Sequence, residues 1–139
     1  MEDSARHLMF HAVIVLLAGL LAGIPYGKAI LKNRSERHIA AWRLAHAALP
    51  MGAILLLVLS VLFSSLAVSQ YVKWSISILF IVSAYGFMVA LLLGPVVGYR
   101  GLTPEGPLSA KMVYLGNIMG AVASLVGTLV LLYAAWVSL

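Results

Sequence analysis

Few side chains in this sequence can do chemistry, and His46 is the most consequential of them. It stands in Ala41-Trp42-Arg43-Leu44-Ala45-His46-Ala47, at the head of a segment apolar enough to span a bilayer. An ionisable ring at membrane depth is costly unless it faces a protein interior or a cavity and finds a partner. A neutral imidazole suffices as the axial ligand of a haem iron, and the macrocycle itself suits apolar surroundings. The same ring serves equally well as a hydrogen-bonded structural group, and the residues alone leave both roles open. His11 in the first apolar segment is the second such ring, and Tyr85, Tyr114 and Asn117 are the neutral polar candidates. His7 and His38 fall near expected interfaces, where a hydrated histidine is commonplace.

Several chemistries are excluded by what is missing. The acids are Glu2, Asp3, Glu36 and Glu105, all near ends or in connections. No carboxylate pair lies within a span for glycosidase or proton-relay work, and no Ser-His-Asp set can be assembled. Two separated histidines do not make a tetrahedral zinc site. Cysteine is absent, which removes disulfides, thiolate ligation and cysteine nucleophiles.

The elements that must position these residues are membrane spans. Hydrophobic residues make up 63% of the chain and charged ones 9%, more apolar surface than a soluble domain of 139 residues could cover. Four stretches, about 8–31, 39–68, 71–98 and 112–137, can each cross a hydrocarbon core. The expected fold is all-α, an integral-membrane four-helix bundle forming a single domain over 1–139. The first stretch is too long for a signal peptide's apolar region and is followed by no small-residue cleavage site, so it is expected to stay.

The net charge of +5 is distributed as a topology signal, not as a nucleic-acid surface. Lys28, Lys32, Arg34, Arg37 and Arg43 gather about the first connection, and Arg100 and Lys111 about the third. The positive-inside rule then makes the connections 32–38 and 99–111 cytoplasmic and both termini external, with a bacterial inner membrane as the expected location.

Within the spans, small residues and prolines mark the inner faces. Gly19, Gly23 and Gly27 form a stripe that permits close helix approach, a candidate contact between copies of the chain. Pro25 should interrupt the first span, and Pro50 directs its ring at the carbonyl of His46, where a kink could open a pocket. Trp42, Trp74, Tyr71, Tyr133 and Trp136 read as interfacial anchors. The third connection, Gly94 to Pro107, is dense in glycine and proline and should be a defined turn sequence holding Glu105 near Arg100.

His11 ahead of an apolar run, Trp42-Arg43-Leu44-Ala45-His46 opening the second span, and Arg100-Gly101-Leu102-Thr103 after the third occur in an order that resembles one family. It is that of the small four-helix membrane proteins containing styrene oxide isomerase and, more distantly, hydroxylaminobenzene mutase. The resemblance implies a haem b held between protomers of a compact homo-oligomer, a trimer, with His46 on the iron and Trp42 beside the cofactor. It implies a ferric iron acting as a Lewis acid on an epoxide oxygen, ring opening and hydride migration then giving an aldehyde without net redox change. The related rearrangement of an arylhydroxylamine to an aminophenol is close to it. The chain departs from the family pattern in having Met51 and Gly52 where an asparagine is expected, and only Ser83 and Tyr85 as polar residues within Ile78–Met88. Tyr85 and Asn117 are the candidate replacements for orienting a small apolar substrate. The alternatives are a non-catalytic haem protein for electron transfer, sensing or haem handling, with His11 as second axial ligand, and a cofactor-free accessory subunit.

Overall fold

A computed structural model describes residues 2–139 as helices joined by short connections, with no strand among them. The first crossing is made of α1 (Asp3–Leu21) and α2 (Gly23–Leu31), and the second of α3 (Glu36–Leu62) with a 3₁₀ turn at Phe63–Ser65. The third is α4 (Gln70–Val97) and the fourth α5 (Leu108–Val137). All four stretches are long and apolar enough to cross a membrane, so the all-α integral-membrane reading holds. The first and fourth begin earlier than the apolar pattern alone indicates, because the polar turns at Asp3–His7 and Leu108–Lys111 are helical too.

The packing follows from having lipid outside. Large side chains such as Phe10, Leu17, Met51, Val61 and Leu132 are exposed, while alanines, glycines and serines join Leu8, Val15, Phe63 and Ile76 in the contacts between helices. Without a hydrophobic drive between helices in lipid, small residues that let backbones approach gain dispersion contacts instead. The sharpest case is the seam between α4 and α5. A Cβ at Gly86 would sit 2.8 Å from the Gly116 carbonyl, and one at Gly116 2.7 Å from the Gly86 carbonyl. Gly120 lies against the Phe87 ring, and Ser83 Oγ donates to the Gly120 carbonyl at 2.8 Å. The seam rests on a Gly-x-x-x-Gly spacing, Gly116 to Gly120, whose partner helix the spacing itself does not name.

The prolines act differently from one another. Pro25 has no N–H for the Leu21 carbonyl, and the helix breaks one turn earlier, at Ala22, between α1 and α2. Pro50, by contrast, lies inside an uninterrupted α3 and packs its ring on Gly19. Gly19 and Gly23 are thus consumed by contact with α3 of the same chain, which corrects their reading as a surface between copies. The numbering of the contacts, Gly19 with Pro50 and Gly23 with His46, shows α1–α2 and α3 running antiparallel.

The amino-terminal end is tied to α4. Lys73 is buried and donates from Nζ to Glu2 Oε1 at 2.7 Å, and Ser77 Oγ donates to the Ser4 carbonyl at 3.0 Å. A buried cation needs a partner of this kind.

The third connection is held as firmly as its composition suggests. Gly98, Gly101 and Gly106 have φ of 76°, 65° and 106°, conformations that glycine adopts without penalty. Gly101 is buried under α5, where a Cβ would lie 2.6 Å from Val113 Cγ1. Asn117 Nδ2 donates to the carbonyls of Arg100 and Gly101 at 3.0 and 3.2 Å, clamping the loop to the helix. Arg100 and Glu105 form no ion pair; the three among the described residues are Arg6–Asp3, Arg43–Glu36 and Lys73–Glu2.

Gly116→Val should lower unfolding stability in detergent by about 1–3 kcal/mol through overpacking of the α4–α5 seam. Gly52→Ala, where a Cβ meets nothing within 4 Å, should change it by less than about 1 kcal/mol. Equal losses from the two would contradict the seam. Asn117→Ala should cost about 1–2 kcal/mol and speed proteolysis between Gly98 and Pro107, and unchanged cleavage would show the loop to be held by something else.

Candidate functional site

The helical period places Trp42, His46, Leu49 and Pro50 of α3 on the side that meets the first span. There His46 Nδ1 lies 2.9 Å from the Gly19 carbonyl oxygen. A carbonyl only accepts, so Nδ1 donates this bond, and in the neutral ring Nε2 is then the nitrogen with the lone pair. Metal-ligating histidines are held in this way, with the far nitrogen donating to a carbonyl or carboxylate that orients the ring and raises its basicity.

Glycine at position 23 makes the arrangement possible. A Cβ there would stand 2.9 Å from Cε1 and 3.1 Å from Nδ1 of His46, so any larger residue pushes the imidazole away from the first span. The Tyr26 ring lies next to it, with centroids 6.1 Å apart. Gly19, Gly23 and Tyr26 share one helical face at the i, i+4, i+7 spacing, a pattern that points to Tyr26 once His46 is known to dock there. Trp42, one turn before His46, is only 9% exposed and packs with Ala22, Ala29 and Ala45. It supports the site from inside the bundle, and the reading of Trp42 as a membrane-belt anchor is corrected. Trp136 and Tyr71 are exposed near helix ends, as anchors should be.

His46 itself is half-buried, and a Cβ at Gly27, one turn beyond Gly23, would meet nothing within 4 Å. Among the described residues no group of three or more His, Cys, Asp or Glu converges, so a bare ion has no cage of side chains. A macrocycle that brings its own nitrogen ligands needs only one imidazole from the protein, and that is what the site offers.

Tyr85 and His11 form a second polar contact. His11 Nδ1 and Tyr85 Oη share a hydrogen bond of 2.9 Å between α1 and α4, with the rings edge to face. His7 stacks one turn away on His11 at 6.4 Å, and Trp74 packs on His7 at 5.3 Å. His11 precedes Gly19 by eight residues, about 12 Å along the helix. Within one chain, therefore, His11 and His46 do not approach a common iron. Asn117 is elsewhere again, with its amide on the third connection. The single chain thus brings Trp42 and His46 together, and His11 and Tyr85 together, but joins neither pair to Asn117.

The kink expected at Pro50 is not accompanied at His46 by one of the best-formed cavities. The larger cavities lie across α3, between it and α4 and α5, and His46 lines none of them.

A family model described as styrene oxide isomerase matches residues 4–136. No curated protein matches the chain. The family match covers all four spans and includes His46, the Trp42 turn and the clamped loop, and the chain belongs to the styrene oxide isomerase family.

Proposed function

We propose that this protein is an integral-membrane isomerase that rearranges a small apolar epoxide to an aldehyde, with haem b held through His46. Family membership supports the reaction class. The observation that carries the cofactor assignment is the hydrogen bond from His46 Nδ1 to the Gly19 carbonyl, which leaves Nε2 as a lone-pair donor. A bound ferric haem supplies Lewis-acid polarisation of an oxygen.

The chain's own contributions are positional. Gly19 orients the ring, Gly23 leaves room for it, and Trp42, one turn away, packs with Ala22, Ala29 and Ala45. The apolar exterior admits a lipid-soluble substrate from the bilayer and keeps water from a reactive intermediate. Because His46 is only half-buried, a second copy would be needed to cover a macrocycle, which supports a homo-oligomer, three copies on the family resemblance. Tyr85 and Asn117 remain the proposed substrate-orienting groups. On this reading they act across copies, since neither touches His46 within a chain. The wide separation of His11 from His46 weighs against electron transfer through a bis-histidine iron in one chain.

Protein purified with adequate haem supply should show a Soret band that His46→Ala abolishes, and it should convert styrene oxide to an aldehyde. A band that survives His46→Ala would refute the ligand assignment, and a colourless protein would favour an accessory role. Haem-loaded protein that ignores epoxides but rearranges an arylhydroxylamine would move the substrate and keep the site. Tyr85→Phe should reduce kcat by roughly a hundredfold if its hydroxyl steadies the reacting oxygen; retained turnover would confine Tyr85 to its bond with His11.

A further inference from the structure

The hydrogen bond to Gly19 fixes one atom of the His46 ring and leaves the plane of the ring undetermined. The χ2 torsion of histidine is broad and roughly two-fold, so rotamer preference does not choose that plane. Small turns about χ1 and χ2 keep the 2.9 Å bond while tilting the imidazole and redirecting Nε2. A ligand atom free to wander binds more weakly, because its freedom has to be lost on binding. Something besides Gly19 has to hold the ring.

Two residues of α2 restrict the tilt. A Cβ at Gly23 would lie 2.9 Å from Cε1, 3.1 Å from Nδ1 and 3.5 Å from Nε2, so the nitrogen-bearing edge of the imidazole rests close to that glycine. The second is Tyr26, whose ring plane is 31° from that of His46 at a centroid distance of 6.1 Å, within the range of favourable aromatic pairs. Among the described residues it is the only aromatic ring paired with His46. Tyr26 is itself braced. Its amide donates to the Ala22 carbonyl at 3.2 Å, and its half-buried ring packs against the cluster of Ala22, Ala29, Trp42 and Ala45. The cluster that holds Trp42 thus also holds the ring lying beside His46.

We infer that Tyr26 is a positioning residue for the haem ligand: its ring holds the plane of the His46 imidazole, so that Nε2 presents its lone pair in one direction. This role rests on the assignment of haem to His46 proposed above. Tyr26 acts through His46 and touches no reacting atom. The aromatic ring is what serves, so phenylalanine should replace it and leucine, of lesser area and without a π face, should not. A pair of this kind corresponds to roughly two- to tenfold in affinity.

The test compares the haem-loaded full chain with its Tyr26→Phe and Tyr26→Leu variants in a mild detergent. The readouts are the rate of haem loss to excess apomyoglobin and the electron paramagnetic resonance of the ferric iron. Tyr26→Leu should lose haem roughly two- to tenfold faster and alter the rhombic splitting of the ferric signal, while Tyr26→Phe should match the parent in both. A second measurement separates positioning from folding. In a His46→Gly background, with imidazole supplied from solution, the Soret shift should need roughly two- to tenfold more imidazole when Tyr26 is also leucine, and no more when it is phenylalanine. Haem held through His46 but lost from Tyr26→Leu at the parent's rate, with an unchanged ferric signal, would overturn the role of Tyr26 alone. So would a Tyr26→Phe variant that behaves as Tyr26→Leu, since the hydroxyl and not the ring would then be needed. A parent that takes up no haem, or whose Soret band survives His46→Ala, would overturn the cofactor assignment and the role of Tyr26 with it.

Discussion

The bond between His46 Nδ1 and the Gly19 carbonyl is the interaction on which the arrangement of the first two crossings turns. In hydrocarbon an imidazole has no water to satisfy it, so its position is dictated by whichever protein acceptor it can reach. Reaching Gly19 requires α3 to lie almost against the first span, which only residues without side chains allow. Gly19 makes room for Pro50 and Leu49, and Gly23 for the imidazole itself. The same bond settles which nitrogen is free. A bond that satisfies a polar ring in the membrane does not by itself exclude the proposed ligand role, so the two roles that the sequence leaves open for His46 are compatible.

The other half of the molecule is built on the same rule with different residues. Gly86, Gly116 and Gly120 bring α4 and α5 together backbone to backbone, and Ser83 places its hydroxyl on a carbonyl across the seam. Asn117, on the helix carrying that glycine pair, turns its amide to the third connection and holds it in the conformation its glycines permit. Drawing α5 onto α4 leaves α3 and α5 apart. The groove between them is a consequence of two tight glycine contacts made elsewhere.

Much of this architecture is legible in the amino-acid sequence. Four crossings follow from apolar runs of sufficient length, the break in the first from Pro25, and the ordered third connection from its glycines and prolines. The misreadings share one cause. Periodicity is weak in a helix that is apolar on every side, so sequence does not say which face of a helix meets which neighbour. The glycine stripe of the first crossing therefore reads as a contact between copies and Trp42 as part of the membrane belt, whereas Gly19, Gly23 and Trp42 are all used inside the chain. Tyr26 escapes notice beside His46 for the same reason.

The amino-acid sequence alone determined the solvent, the number of crossings and the short inventory of groups able to do chemistry, because these depend on composition and run length. It also carried the family resemblance, through the Trp42-to-His46 turn and the Arg100-to-Thr103 loop. Only the tertiary structure decided how that inventory is grouped. It paired His46 with Gly19 and Tyr26, His11 with Tyr85, and Asn117 with the third connection, and it placed the groove across α3 from the imidazole. Those pairings depend on how far one backbone can approach another. That distance is set jointly by residues far apart in the chain and is a property of no single segment.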